Sequence, residues 1–164
     1  MNPKLVGEKS EARIIAALLQ LDLPVLKPFG DSQRYDLVVE REGQFLRVQC
    51  KTGRLVRGAV EFPTCSSYRH RQRGVRHYRG QADYFAIFCP ENEKTYVVPV
   101  ESVGLKKCRL RVEVCRNGQR EGVRPAADYE VGWLAVLKRQ GPASLQAPEA
   151  DWLPELDSNQ RPVD

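Results

Sequence analysis

The sequence contains no apolar run that approaches the roughly 18 residues needed to cross a bilayer, and its start lacks the pattern of a signal peptide. Its five cysteines are odd in number and include no C-x-x-C pair, which argues against a disulfide framework and against a zinc site. We therefore expect a protein with no membrane partner that keeps its thiols reduced in the cytoplasm. The 164 residues, 41% hydrophobic and 29% charged, suffice for one globular domain.

Acidic residues are scarce in one stretch of the chain. Between residues 41 and 80, ten Lys and Arg stand against two acids, Glu42 and Glu61. Residues 141–164 hold five acids, one base and four prolines, so residues 1–140 carry a net charge of +9 while the whole chain carries +5. The basic region is either a solvated surface or a site for a polyanion, and the clustering favours nucleic acid. We assign residues 1–140 to one domain and residues 141–164 to an acidic, proline-rich tail that is predicted to be disordered.

The hydrophobic pattern predicts one helix followed by several strands. Residues 8–20 carry a helical period, in which Ala12, Ile15, Leu18 and Leu19 form a stripe beside Ile14, and Pro24 ends the pattern. Runs rich in β-branched and aromatic residues then predict strands, with residues 53–58 as a turn and residues 64–81 as a long basic segment. The predicted strands cover residues 25–26, 35–40, 45–51, 59–62, 83–89, 95–100 and 110–114. This order predicts an α/β (α+β) domain built around a central mixed sheet.

The first two long strands form a predicted hairpin that gathers polar side chains on one face. A turn at Glu42-Gly43 pairs positions whose numbers sum to 85, so that Asp36 faces Gln49. Because side chains alternate along a strand, Asp36, Gln49 and Lys51 then share one face, while Cys50 and its apolar neighbours share the other. A carboxylate, an amide and an ammonium on one face indicate a site for metal-dependent chemistry on phosphates.

Each residue of this candidate site has a role and a plainer alternative. Asp36 is a hard oxygen ligand for Mg²⁺, or else the partner of Arg34 or Arg47 in an ion pair. Gln49 offers a neutral amide oxygen, or else is a strand residue that only forms hydrogen bonds. Cys50 offers its backbone carbonyl because its side chain points to the core. Lys51 stabilises charge on a phosphate or positions a water, unless it is one more surface lysine. The helix supplies the missing acid, with Glu11 preferred and Glu8 as the secondary candidate.

The segment from Tyr68 to Arg79 has five arginines, two histidines and no acid. Guanidinium groups suit phosphates and guanine edges, so this segment predicts DNA contacts whose strength falls with salt. The arginines assigned to DNA binding are Arg54, Arg69, Arg71, Arg73, Arg76 and Arg79.

With these residues identified, the chain resembles the PD-(D/E)XK nuclease superfamily, and within it the branch of homing endonucleases encoded by group I introns. Asp36 matches the first acid of the motif, Lys51 matches its lysine, and Glu11 matches the acid of the first helix. Gln49 departs from the Asp or Glu that the motif normally has. The similarity spans roughly residues 4–131 and is carried by several stretches: 7–19, 28–40, 45–54, 64–67, 78–85, 97–100 and 128–130.

The resemblance implies a restriction-endonuclease-like core, a central mixed sheet flanked by helices, with Asp36, Glu11, Gln49 and the Cys50 carbonyl around Mg²⁺, for which Mn²⁺ would substitute. It implies cleavage of both strands of double-stranded DNA by a homo-oligomer, a dimer or higher, in a bacterial cytoplasm where the protein joins the nucleoid when bound. Two alternatives stay open: a structure-selective nuclease like a junction resolvase, and an inactive DNA-binding module in which Gln49 marks a decayed centre.

Overall fold

The computed structural model describes residues 2–66, 76–113 and 122–132. Helix α1 spans Pro3–Leu19 and begins five residues earlier than its apolar period predicts. The cause is a cap: the Asn2 side chain accepts a hydrogen bond from the Lys4 amide, and Pro3 occupies the first helical position, where its missing N–H costs nothing. The buried stripe is Ser10, Ile14 and Leu18, whereas Leu19, predicted to face the core, is exposed.

A five-stranded sheet forms the centre of the fold, and its strands lie in the order β1 (Val25–Leu26), β2 (Leu37–Arg41), β3 (Gln44–Thr52), β8 (Tyr84–Cys89) and β9 (Lys94–Pro99). β3 and β8 run parallel and the other neighbours run antiparallel, which confirms the predicted central mixed sheet of an α+β domain. The predicted hairpin register is also confirmed, because Leu37 pairs with Val48 and Arg41 with Gln44.

A second, three-stranded sheet contains β4 (Arg54–Val56), β5 (Ala59–Pro63) and β10 (Lys107–Arg111), with β5 in the middle. The prediction of a turn over residues 53–58 was wrong for β4, whose three residues are all exposed and so give no alternating pattern. β10 begins and ends three residues before the strand predicted over residues 110–114. Two short strands, β6 (Cys65–Ser66) and β7 (Arg76–His77), form a separate ribbon.

The five-stranded sheet is buried on both faces. α1 covers one face, where Ile14 and Leu18 pack with the β2 and β3 residues Leu37, Val39 and Val48. The three-stranded sheet covers the other, where Val60 and Phe62 pack in one cluster with Phe85 and Ile87. Within the described ranges one α-helix and two short 3-10 helices, Val100–Ser102 and Ala126–Tyr129, accompany the sheets.

Two predictions about the chain's organisation, the domain and the tail, can be compared with the structure only where residues are described. The proposed domain of residues 1–140 is described as far as residue 132, and the tail of residues 141–164 lies outside the described residues. Across the part of the chain that is described, no helix has the length and apolar character that would carry it through a membrane.

Candidate active site

The open end of the β2–β3 hairpin brings together three of the predicted site residues. Asp36 precedes β2, and its Oδ2 accepts a hydrogen bond from the Cys50 amide at 2.7 Å and a very short one from Gln49 Nε2. Gln49 Nε2 also lies 3.3 Å from the Cys50 carbonyl oxygen, so a carboxylate, an amide and a main-chain carbonyl meet at one point. Local pairing places them there, because the Asp36 amide donates to the Val48 carbonyl and so extends the hairpin register.

Asp36 sits in an environment that disfavours its charge. Burial is the main cause that raises the pKa of this carboxyl, and the nearby charge of Glu11 raises the pKa further. The Cys50 N–H, Lys51 and Lys27 act in the opposite direction and favour the carboxylate. A partly buried carboxylate near a second acid is in an unfavourable environment, and a bound divalent cation would relieve the repulsion.

Glu11 reaches this site from α1 and is balanced by a lysine that the sequence did not single out. Lys27 Nζ lies 2.5 Å from Glu11 Oε1, and this contact is the main cause that raises the pKa of Lys27. Lys27 follows the edge strand β1, so its role depends on how β1 docks beside the helix. Glu8, the secondary candidate, lies exposed one turn earlier on α1.

The alternative reading of Asp36 as an ion-pair partner finds no support among the contacts of the described residues. Arg47 pairs with Asp83, at 2.8 Å between Nη2 and Oδ1. Arg34 donates to Gln81 and Ser66. With both arginines engaged elsewhere, Asp36 keeps its oxygens for the hairpin end.

The donors at this point suit a hard cation. Within the described ranges no group of three His, Cys, Asp or Glu side chains forms a metal cluster, and the candidate set is mixed: the Asp36 and Glu11 carboxylates, the Gln49 amide and the Cys50 carbonyl. Oxygen donors of this kind, few in number, match Mg²⁺, which retains several waters. A 180° rotation of the Gln49 amide would place its oxygen where its nitrogen now lies. The amide can therefore donate to the Asp36 carboxylate in one orientation and coordinate a cation in the other. Burial raises the pKa of the Cys50 thiol, which keeps that side chain protonated.

Lys51 is held by residues that the sequence reading missed. Its Nζ donates to the Tyr78 hydroxyl at 3.0 Å and lies 4.6 Å from the centre of the Tyr78 ring. The Arg34 guanidinium carbon lies 4.3 Å from the centre of the same ring. Tyr78 is 27 positions from Lys51 in sequence, and no local pattern indicates that the two meet.

The predicted DNA-binding arginines divide into three groups. Arg54 on β4 and Arg76 on β7 are exposed. Arg79 is exposed too, but it pairs with Glu101 at 3.5 Å and donates to the Val103 carbonyl. Three others, Arg69, Arg71 and Arg73, lie outside the described residues. The structure adds one more surface feature, a wholly exposed Phe29 in the loop between Lys27 and Arg34.

Comparisons with known proteins agree with this architecture. The sequence profile of the PD-(D/E)XK endonuclease family matches residues 1–132. A bacterial homing endonuclease of solved structure, I-Ssp6803I, is 27% identical to the chain and superposes with a TM-score of 0.68, covering 84% of this chain and 95% of its own. No curated protein matches the sequence. The first two findings confirm the resemblance that the sequence motifs indicate.

Proposed function

Because the chain belongs to the PD-(D/E)XK endonuclease family, we propose that it is a Mg²⁺-dependent DNA endonuclease that cuts both strands at a specific site, as a homing enzyme does. The observation that carries the proposal is the set of groups that meet at the open end of the β2–β3 hairpin. There Asp36, Gln49 and the Cys50 carbonyl converge, Glu11 adds a second acid, and Lys51 lies two residues further along the same strand.

The proposed chemistry assigns a role to each of these groups. Asp36, Glu11, Gln49 and the Cys50 carbonyl would hold Mg²⁺, or Mn²⁺ in its place, and the bound ion would supply a Lewis acid and an acidified water. Lys51 carries the positive charge that offsets negative charge on the phosphate being cleaved. Burial of Asp36 and Gln49 strengthens these electrostatic interactions, because less water screens them.

DNA binding is proposed to use the basic stretch of the chain between residues 41 and 80. Arg54 and Arg76 are exposed guanidinium groups that suit phosphates, and Arg69, Arg71 and Arg73 are proposed contacts from the segment between β6 and β7. Cutting two strands calls for two centres, so a homo-oligomer, a dimer or higher, is part of the proposal. The expected setting is a bacterial cytoplasm, with the protein on the nucleoid when it is bound to DNA.

A cleavage assay with a charge-matched control tests the proposal. Supercoiled plasmid and genomic fragments would be incubated with the wild type, Lys51→Ala and Lys106→Ala, in Mg²⁺, in Mn²⁺ and in EDTA. Both variants remove one lysine, but Lys106 is exposed and lies outside the hairpin site. We expect discrete fragments from the wild type and Lys106→Ala, with none from Lys51→Ala or in EDTA.

The other outcomes separate the competing functions. Preferential cutting of a four-way junction over linear duplex would indicate a structure-selective nuclease. Salt-sensitive DNA binding without cleavage in any divalent metal would indicate an inactive binding module. The observation that favours that second candidate is Gln49, a neutral residue that donates to Asp36 where the family motif has a carboxylate.

A further inference from the structure

Tyr78 makes a two-point contact with the lysine of the motif. It follows β7 directly and is 5% exposed, and its ring packs edge-on against Phe85, 5.5 Å between centres. Its hydroxyl accepts a hydrogen bond from Lys51 Nζ at 3.0 Å, and the same ammonium lies 4.6 Å from the ring centre. A buried, rigid ring therefore fixes the end of a side chain that has four rotatable bonds.

Tyr78 is itself fixed by a residue that belongs to neither strand of the hairpin. The Arg34 guanidinium lies 4.3 Å from the ring centre. Its hydrogen bonds tie it to the segments on both sides of Tyr78, and the acceptors are Gln81 Oε1, Ser66 Oγ, and the carbonyls of Arg76 and His77. The ring thus contacts both a fixed guanidinium and the lysine ammonium.

A phenol is a partner that leaves the charge of the lysine in place. A carboxylate would neutralise the ammonium, whereas a neutral hydroxyl only accepts one of its three N–H groups. In the described part of the chain, the acceptor that Lys51 contacts is this hydroxyl. The ammonium therefore has further N–H groups for a phosphate oxygen.

We propose that Tyr78 is a positioning residue for Lys51, and that Arg34 holds Tyr78 in place for that purpose. The proposal rests on the proposed nuclease function, in which Lys51 faces the cleaved phosphate. Tyr78 does not touch the substrate in this account. It limits the directions in which the ammonium can point, so it acts on the chemical step more than on DNA binding.

Hydroxyl deletion tests the proposal, and the chain offers a matched control. Tyr78→Phe removes the acceptor of Lys51 and keeps the ring. Tyr96→Phe removes a hydroxyl from the same core cluster, where it accepts from Asn92 Nδ2 at 2.8 Å, away from Lys51. We expect Tyr78→Phe to lower kcat about 10-fold, the effect of one hydrogen bond to a charged group, with KM and DNA affinity unchanged. Tyr96→Phe should keep the wild-type kcat.

A second readout does not depend on cleavage or on metal. Lys51 and the exposed Lys106 would be labelled with an amine reagent in EDTA, and the two modified peptides compared by mass spectrometry. Because Tyr78→Phe releases the ammonium, the rate at Lys51 relative to Lys106 should rise several-fold. The ratio should stay at its wild-type value in Tyr96→Phe.

The two proposals fail in different ways. The positioning role would be overturned if the wild type and Tyr78→Phe cut DNA at equal rates and gave equal labelling ratios. The nuclease function would then still stand. An equal fall in kcat in both tyrosine variants would also overturn it, since the loss would then be structural. A wild type that cuts no DNA would refute the nuclease function, and with it the catalytic meaning of this contact.

Discussion

Gln49→Glu would place the usual carboxylate of the family motif beside Asp36. The Gln49 amide now donates to Asp36 Oδ2, so the introduced oxygens would lie in direct contact with that carboxylate. Two unit charges about 4 Å apart at an effective dielectric constant of about 20 repel by about 4 kcal/mol. The lost hydrogen bond to a charged acceptor adds about 1.5–3 kcal/mol. Without metal, the fully charged pair is therefore more costly than the native contact by several kcal/mol.

Proton uptake limits this cost. Protonating an ordinary glutamate, with a pKa of about 4.3, requires about 3.7 kcal/mol at pH 7 and about 1 kcal/mol at pH 5. A shared proton would restore an O–H donor toward Asp36, whose own pKa is already raised by burial and by Glu11. We therefore expect the metal-free variant to lose about 3 kcal/mol of unfolding free energy at pH 7 and about 1 kcal/mol at pH 5. The sign follows because a raised pKa in the folded state makes stability fall as pH rises through it.

Urea unfolding in EDTA, followed by circular dichroism at pH 5 and pH 7, measures this loss. With an m-value of about 2 kcal/mol/M, the midpoint at pH 7 should fall by about 1.5 M. Gln44→Glu makes the same change at the exposed start of β3, opposite Arg41, and should alter stability by less than about 0.5 kcal/mol. Mg²⁺ should restore Gln49→Glu toward the wild type, because it binds the folded state. Equal stability of the two variants at pH 7 in EDTA would refute the contact between positions 36 and 49.

Asp36→Asn should abolish cleavage and raise the thermal midpoint at pH 7, because burial raises the pKa of this carboxyl and makes its charge costly in the fold. The gain in midpoint should shrink as pH falls, because the wild-type carboxylate then takes up a proton. A constant gain from pH 4 to pH 8 would contradict this. Gly53→Ala should cost about 1–3 kcal/mol in urea unfolding, because a Cβ there would lie 2.6 Å from Val60 Cγ1 at the step between the two sheets. Gly7→Ala is the control: no atom of the described residues lies within 4 Å of the added Cβ on α1, and the change should add up to about 1 kcal/mol to the free energy of unfolding. Unchanged stability in Gly53→Ala would show that the chain has room for a Cβ between β3 and β4.

The core of the candidate site could be predicted from the sequence because local rules place it. Glu42 and Gly43 both have positive φ, 51° and 78°, which is the backbone of a tight two-residue hairpin turn. Once that turn is set, strand alternation leaves one register, and it brings Asp36 opposite Gln49. The same reasoning predicted the strands β5, β8 and β9, whose buried residues show strong β propensity.

The prediction failed where the pattern carried no burial signal. β4 was taken for a turn because its residues are all exposed, although the turn itself lies at Arg57-Gly58, again with two positive φ values. The predicted helix stripe was right for Ile14 and Leu18 and wrong for Leu19, since Leu19 is as apolar as Leu18 and only the docking of α1 on the sheet decides which is buried. Which residues of β4 and α1 are exposed depends on how the helix and the sheets pack together.

The sequence by itself determined the hairpin, its register and the meeting of Asp36 with Gln49 at its open end, because turn chemistry and strand alternation act over a few residues. Only the tertiary structure decided which residues from other segments surround the hairpin. Lys27 reaches Glu11 across 16 positions, Tyr78 reaches Lys51 across 27, and Arg34 reaches Gln81 across 47. Such contacts arise when a helix, an edge strand and a ribbon pack against one sheet, and packing of distant segments leaves no period in the sequence.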